Sequence, residues 1–204
     1  MALRPDYCTT AELRTFVTAT TTADDAYLAL AITAASRAVE QATDRQFGVL
    51  TSAAARYYTP VWSAALRRWQ AHIDDLMTIT SLVVKVDTNG DEVYETTIAA
   101  ADYRLAPYNA PGDSFPWEVM VFGTTATTST RPGSLEVTAL WGWTAVPSTI
   151  KEATLIQASR FYRRRDSPYG VAGSAEMGSE MRLLAKVDPD VQLMLMPYRR
   201  WAMV

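Results

Sequence analysis

The hydrophobic period of this chain changes twice, and these changes restrict its fold more than any other feature. Apolar residues recur at helical spacing up to about residue 50, tend to alternate as far as residue 143, and return to helical spacing after Pro147. Thr, Val and aromatic residues become frequent in the middle segment, as on half-buried strands. The pattern predicts the α+β class: helices from residues 1–48 and 147–204 form one helical bundle, and a β-rich domain of residues 49–146 is inserted between them.

Two helices are predicted before the β region. Thr9 and Glu12 form a capping-box pattern, which predicts a short helix in TTAELRTFV. A longer helix follows, with Asp24 and Asp25 placed favourably against its N-terminal dipole. Its apolar stripe consists of Leu28, Ala31, Ile32, Ala35, Val39 and Ala42, and its polar face of Arg37, Glu40, Gln41 and Asp44.

Three segments of the middle region are predicted strands. Leu82, Val84 and Val86 alternate, and Asn89-Gly90 then offers the two positive-φ residues of a tight hairpin turn. The segments WEVMVF (117–122) and SLEVTALWGW (134–143) are the other two. The second of them places four apolar residues on one face: Leu135, Val137, Ala139 and Trp141.

Helices return in the last quarter of the chain. PSTIKEATLIQASRFYRRR predicts a helix capped by Ser148 and ended by Asp166-Ser167-Pro168, with its stripe on Ile150, Ala153, Ile156 or Gln157, and Phe161. The segment YGVAGSAEMGSE (169–180) has no period and predicts a mobile loop. Asp188 as cap and Pro189 at the first helical position predict a final helix.

Charge and cysteine content exclude several classes of protein. The net charge of −3 argues against a dedicated nucleic-acid binder, although residues 150–204 carry nine basic and six acidic side chains. Cys8 is the only cysteine, so an intrachain disulfide and a cysteine-based zinc site are excluded, which fits a reducing cytoplasm. Without a signal-peptide pattern or an apolar run of about 20 residues, we expect a soluble protein that is not exported and not in a membrane.

The sequence offers little to an enzyme, a cofactor or a metal ion. His72 is the only histidine, and nucleophile-elbow, Walker and dinucleotide-binding patterns are absent. Asp74-Asp75 is better explained as a solvated turn than as a carboxylate pair. Asp87, Asn89 and Asp91 resemble the start of a calcium loop, but Ile98 stands where its bidentate Glu belongs. We therefore expect no catalytic residue, cofactor or metal site.

Four arginines in six positions, Arg160, Arg163, Arg164 and Arg165, end the predicted helix before the loop. At about 100° per residue they fan around the helix, so they cannot all hold one ligand. Cations at a helix C-terminus interact favourably with its dipole, but that effect does not require four of them. The excess favours a partner that presents carboxylate or phosphate groups.

Four motifs follow one another in the last third of the chain: a Gly-Trp-x-x-Val-Pro entry, an arginine-ended helix, a Pro-Tyr-Gly loop and an Asp-Pro-Asp helix. They lie in the segments LWGWTAVPSTIKEATLIQASRFYRRRDSPYGVAGS and KVDPDVQLMLMPYRR, and two earlier segments are YLALAITAASRAVEQATDRQFG and DYRLAPYNAPGDSFPWEVMVF. In these segments and in the order of the motifs, the sequence resembles the head-tail connector proteins (head-to-tail adaptor, head completion) of long-tailed double-stranded DNA bacteriophages.

The resemblance implies a structural virion protein that is not an enzyme. Such proteins form a ring, commonly of twelve subunits, which docks under the portal protein, provides the platform for the stopper or tail terminator, and lets the double-stranded genome pass. Assembly would take place in the host cytoplasm, and the mature location would be the head-tail interface. The residues expected to contact the portal or a neighbouring subunit are Arg160, Arg163, Arg164, Arg165, Tyr169, Arg199, Arg200 and Trp201.

Three alternatives stay open at this point. The basic C-terminal part could belong to a nucleic-acid-binding module, which a steep salt dependence of binding would reveal. An enzyme could use His72 with Asp74 or Asp75, provided that His72 lies in a cleft with partners. The chain could also be another structural tail or capsid protein.

Overall fold

The computed structural model describes residues 4–19, 21–165, 171–172, 181–182 and 188–200. It contains helices and antiparallel sheets, which confirms the mixed α+β class. The chain divides into two units. The β unit spans Gly48–Ala145, and the helical unit combines Arg4–Phe47 with the described residues from Val146 onward. Among the described helices, none has the length and apolar character needed to cross a bilayer.

The described helices of the helical unit are α1 (Thr10–Phe16), α2 (Asp25–Thr43), α3 (Ser148–Arg164) and α4 (Pro189–Leu195). The predicted capping box at α1 is confirmed: the Glu12 N–H donates to Thr9 Oγ1 at 3.3 Å, and the Thr9 N–H donates to Glu12 Oε2 at 2.8 Å. The predicted start of α4 is confirmed too, because the Asp190 N–H donates to Asp188 Oδ1 at 2.9 Å and Pro189 is the first helical residue. Local sequence thus sets both helix starts.

The core of the helical unit lies where α2 meets α1 and α3. Five of the six predicted stripe residues of α2 are buried, and Ala42 is partly buried. The stripe packs against Leu13 of α1 and against Leu155 and Ala158 of α3. On α3, Ser148 is the first helical residue, Pro147 is the cap, and Gln157 rather than Ile156 is buried. The helical period therefore predicted the packed faces well.

Glu40 departs from its predicted place on the polar face of α2, because it is buried. Tyr7, from the segment before α1, donates its hydroxyl proton to Glu40 Oε1 at 2.7 Å and accepts the Phe47 N–H at 3.0 Å. Arg37 Nη2 lies 3.2 Å from the same carboxylate oxygen. Burial raises the pKa of Tyr7. A segment distant in sequence covers this part of α2, which the period of the helix alone could not reveal.

The β unit contains two four-stranded antiparallel sheets. The first has the order β1-β8-β4-β5 and the second the order β2-β3-β7-β6. The strands are β1 (Ala54–Tyr58), β2 (Val61–Ser63), β3 (Arg68–Leu76), β4 (Val83–Val86), β5 (Thr96–Thr97), β6 (Tyr103–Ala106), β7 (Trp117–Phe122) and β8 (Leu135–Ala139). The strand predicted over 117–122 is confirmed, because it is β7. Met120 and Phe122 of β7 are buried in the same core as the predicted apolar face of the segment 134–143.

Two glycines meet where the chain enters and leaves the β unit. β8 ends at Ala139, so the strand predicted over 134–143 was too long. Beyond the end of β8, Gly142 makes an isolated bridge with Val49. Gly142 has a φ of +111°, and a Cβ there would lie 1.9 Å from the Gly48 carbonyl oxygen. The Trp143 N–H donates to that oxygen at 2.9 Å. Only glycine allows this approach of two backbones.

Asp74 and Asp75 lie in β3, so the predicted solvated turn is wrong. Asp75 is buried and accepts a hydrogen bond from Trp143 Nε1 at 2.8 Å. Asp74 points to the other face of the strand, where Arg56 and Tyr58 donate to its carboxylate. Both carboxylates therefore have structural partners on neighbouring segments, which the sequence pair could not indicate.

The predicted hairpin forms, but its predicted tight turn does not. β4 and β5 pair through Val86 and Thr96, so nine residues, 87–95, connect them. Gly90 and Glu92, not Asn89, take positive φ. The Asp87 carboxylate accepts N–H groups of Asn89, Gly90 and Glu92, at 3.1, 2.6 and 3.1 Å. A buried carboxylate thus organises a wide loop in place of a two-residue turn.

The mobile loop predicted over 169–180 contains a short strand. β9 (Val171–Ala172) pairs in antiparallel fashion with β10 (Met181–Arg182). Backbone pairing needs no hydrophobic period, so a search for periodicity missed it. The other residues of that prediction, and the predicted helix stop at 166–168, lie outside the described residues.

Candidate docking surface

Arg160 lies at the contact between α3 and the start of α4. Its Nη1 donates to Asp188 Oδ2 at 2.7 Å, and both side chains are about three quarters buried, with 24% and 23% exposed. Asp188 also caps α4 with its other carboxylate oxygen. The Asp188 N–H points at Gln157 Oε1, 3.5 Å away. Arg160 therefore holds α4 against α3 instead of projecting towards solvent.

Arg165 binds the residue that precedes α2. Its Nη1 donates to Asp24 Oδ1 at 2.7 Å, and the Tyr162 hydroxyl donates to Asp24 Oδ2 at 2.7 Å. The guanidinium lies 5.0 Å from the Tyr162 ring centroid and 5.1 Å from that of Tyr27. The bonds from Tyr162 and then Arg165 hold the pKa of Asp24 below its usual range, and the bond to Asp24 raises the pKa of Tyr162.

The other two arginines of the run differ in exposure. Arg163 is exposed and forms no ion pair with any described residue, whereas Arg164 is partly buried. Arg160 and Arg165 bind carboxylates that precede two different helices. The four arginines therefore do not converge on one ligand, and Arg163 is an exposed cation that forms no ion pair within the described part of the chain.

The C-terminal candidates lie beside the end of α2. The Arg200 N–H donates to the Thr43 carbonyl oxygen at 2.8 Å, and Arg45 Nε donates to the Tyr198 carbonyl oxygen at 2.6 Å. Arg199 is exposed and Arg200 is partly buried. Tyr169 and Trp201, the two aromatic candidates, lie outside the described residues.

The residues of the enzymatic alternative are not brought together as an acid–base pair. His72 is exposed on β3, and its ring Nε2 lies 3.5 Å from Gln70 Nε2. Asp74 is held by Arg56 and Tyr58, and desolvation together with Asp74 raises the pKa of Tyr58. The enzymatic alternative requires His72 to lie in a cleft with partners, and this exposed position does not provide them.

The loop 87–95 brings three carboxylates together. The calcium-loop pattern in the sequence included Asp87 and Asp91 but not Glu95. Oxygens of Asp87, Asp91 and Glu95 lie within 4.8 Å of one another. The Asp87 carboxylate accepts three backbone N–H groups, and the Thr88 hydroxyl donates to the Glu95 carboxylate. These bonds lower the pKa of Asp87 and of Glu95, so the loop carries negative charge at neutral pH.

Sequence reasoning also missed an exposed hairpin, β2–β3. Val61, Trp62 and Leu66 are each about half exposed there, at 46%, 54% and 53%. Arg67 and Arg68 follow directly and are exposed. The available signal was the segment VWSAALRRW, which contains two tryptophans and two arginines and no acidic residue.

Comparison with known proteins gives matches to solved structures. No protein-family model and no curated protein matches the sequence. A chain from the "neck of empty GTA particle computed with C6 symmetry" has 22% identity and a TM-score of 0.55, with 100% of this chain and 95% of that chain covered. This chain has that neck component's fold. A chain from the "virion of native gene transfer agent (GTA) particle" matches over the same shares, with 21% identity and a TM-score of 0.52.

Both matches extend over the helical unit and the β unit, since each covers this chain completely. The likeness therefore includes the middle β region and is not confined to the helices. At 21% and 22% identity the comparison concerns the fold, and the roles of individual residues come from the geometry described above.

Proposed function

We propose that this protein is a structural, non-enzymatic component of the neck of a phage-like particle. More specifically, it is a head-to-tail adaptor that forms a ring beneath the portal. The observation that carries the proposal is the match of the whole chain to a component of a gene transfer agent neck computed with C6 symmetry. The resemblance of its sequence segments to head-tail connector proteins supports the same role.

The proposed organisation follows from that role. Residues 1–48 and 147–204 form the connector's helical domain, and residues 49–146 form the inserted β domain. Copies of the chain, commonly twelve in such rings, contact the portal on one side and the stopper or tail terminator on the other. A ring repeats each weak contact many times, so modest pairs become collectively strong.

Arg163, Arg164, Arg199 and Arg200, with Tyr169 and Trp201, are the proposed contact residues for the portal or a neighbouring subunit. Arg160 and Arg165 support this surface indirectly, because their ion pairs with Asp188 and Asp24 hold the end of α3 in place. DNA passes through the ring without sequence-specific binding. Arginine clusters facing the channel would instead retain DNA, since each phosphate contact adds affinity.

The location is tested by cryo-electron microscopy of particles that carry a tagged copy of this chain. We expect the additional density at the head-tail interface, and filled heads without tails when the chain is omitted. Density on the capsid surface or along the tail tube would contradict the adaptor role and favour another structural protein of the particle.

Docking is tested with purified portal and full-length variants. Arg163→Glu should weaken portal binding on the order of tenfold at physiological salt, because it reverses an exposed charge. Arg104→Glu is the matched control, since Arg104 is exposed on β6 in the β unit. Equal binding by both variants would refute a docking role for Arg163. DNA binding that depends steeply on salt and disappears with Arg163→Glu would favour the nucleic-acid-binding alternative.

A further inference from the structure

The hairpin of residues 61–69, called here the basic hairpin, is an exposed apolar and cationic element. β2 is an edge strand of the second sheet, so no further described strand covers that side. Val61, Trp62 and Leu66 are each about half exposed. The Trp62 and Trp69 rings pack edge to face with centroids 5.4 Å apart, which fixes the position of Trp62.

Both arginines of the basic hairpin are exposed. Neither Arg67 nor Arg68 forms an ion pair with a carboxylate of the described residues, and Arg68 Nη1 donates to the Arg67 carbonyl oxygen at 3.1 Å. Tryptophan and arginine are the residue types that contribute most to binding at protein interfaces. An exposed cluster of these types is therefore suited to contact an acidic protein surface with an apolar centre.

A surface of that kind lies on the same unit. The segment 87–95, called here the acidic loop, contains four acidic residues and no basic one. Asp91, Glu92 and Glu95 are exposed. Val93 and Tyr57 are both 56% exposed, and the Tyr57 ring lies 5.3 Å from that of Tyr94. Apolar side chains therefore lie beside the carboxylates of this loop.

The electrostatic surroundings of the acidic loop are negative. Desolvation raises the pKa of Tyr94, and Tyr57, Glu136 and nearby carboxylates of the loop raise it further. Arg131 offsets part of this charge, because its guanidinium lies beside Gly90. The geometry of the loop is held by the three N–H bonds to Asp87, so its exposed acids are presented in a fixed arrangement.

We propose that the basic hairpin of one copy docks on the acidic loop of the next copy, so that the β unit supplies a contact between neighbouring subunits. The inference rests on the proposed ring-forming role. The two surfaces are different, so the contact is heterologous, and its repetition closes a ring when the rotation between copies allows it. A contact between two basic hairpins would place four arginines together and is disfavoured by repulsion.

The first experiment uses charge reversal and sedimentation velocity of the full chain at low and physiological salt. Arg67→Glu with Arg68→Glu reverses the hairpin, and Glu92→Lys with Glu95→Lys removes the negative charge of the loop. Each double variant alone should self-associate at least about tenfold more weakly than the wild type. An equimolar mixture of the two should recover association, since the unchanged hairpin of the loop variant then meets the unchanged loop of the hairpin variant. Arg104→Glu, an exposed change elsewhere on the β unit, should behave as the wild type.

The second experiment does not depend on charge or on stability. Leu66→Cys and Val93→Cys variants are mixed under mild oxidation, while the buried Cys8 stays unreactive. A disulfide-linked dimer in the mixture, absent from either variant alone, is expected. Dimers of Leu66→Cys alone, a wild type that stays monomeric at all concentrations, or association unaffected by both charge reversals would each overturn the inference.

The two proposals fail in different ways. If the tagged chain lies in the neck of the particles but the mixture of charge variants does not recover association, only the hairpin contact is refuted. If the mixture recovers association but the tagged chain lies elsewhere on the particle, the neck role is refuted and the contact between copies stays supported.

Discussion

Replacing Gly142 with alanine should severely destabilise the β unit. The residue has a φ of +111°, and its added Cβ would lie 1.9 Å from the Gly48 carbonyl oxygen, a backbone atom. That oxygen accepts the Trp143 N–H at 2.9 Å, and the Gly142 N–H donates to the Asp75 carbonyl oxygen at 2.7 Å. The overlap therefore cannot be relieved by rotating a side chain, and the two backbone segments must separate.

The size of the effect follows from these contacts. The positive φ costs a residue with a Cβ about 1–3 kcal/mol. Separating the backbones weakens two hydrogen bonds at a mostly buried site, each worth roughly 1 kcal/mol net. Together these terms predict a loss of about 3–5 kcal/mol in the free energy of unfolding, which is a large part of the stability of a typical domain.

Gly133→Ala is the matched control, because Gly133 also has positive φ, +69°, but a Cβ there would meet nothing within 4 Å. It should cost only the positive-φ term of about 1–3 kcal/mol, because neither backbone separation nor hydrogen-bond loss is added. Denaturant unfolding followed by tryptophan fluorescence measures both, since five of the six tryptophans lie between residues 48 and 145. A difference between the two variants of less than about 1 kcal/mol would refute the steric reasoning.

Three other expectations concern the helical unit. Arg160→Met should lower its free energy of unfolding by roughly 1–3 kcal/mol, because the mostly buried ion pair is lost, whereas Arg163→Met should change it by less than about 0.5 kcal/mol. Tyr7→Phe should cost about 1–3 kcal/mol by removing both buried hydrogen bonds of the hydroxyl. The pKa of Asp24 is lowered in the folded protein, so its carboxylate stabilises the fold at any pH above its ordinary pKa of about 4, and this stabilisation is lost as the pH falls through the lowered pKa. The stability of the Asp24→Asn variant should therefore decrease less with acid than that of the wild type.

Urea unfolding followed by far-ultraviolet circular dichroism measures the first two, and an acid titration of the same signal measures the third. Equal stability of the Arg160 and Arg163 variants would show that the ion pair does not hold α4. An Asp24→Asn variant whose stability falls with acid as steeply as the wild type would assign the acid sensitivity to other carboxylates.

The sequence alone predicted those features that depend on local or periodic signals. The capping box of α1, the Asp188-Pro189 start of α4 and the buried face of β8 were correct, because each is encoded by residues within one element. The α+β class followed from the same periodicity. The resemblance to head-tail connector proteins is compatible with the fold that this chain shares with a component of a gene transfer agent neck.

The tertiary structure decided the partners of charged and polar side chains. Glu40 is buried because Tyr7 binds it, and Asp75 is buried because Trp143 binds it, over separations of 33 and 68 residues. The nine-residue loop after β4 likewise depends on where Asp87 directs its carboxylate, not on the Asn-Gly pair. Sequence spacing fixes which face of an element is apolar, but not which distant segment covers it.

The arginine run illustrates the same division. Its position at the end of a helix and its spread around that helix follow from spacing at 3.6 residues per turn. Only the fold assigns Arg160 to Asp188 and Arg165 to Asp24, because these carboxylates precede other helices that lie far away in sequence. A charge pattern determines how many cations a surface holds, and long-range packing determines which of them are free to bind another protein.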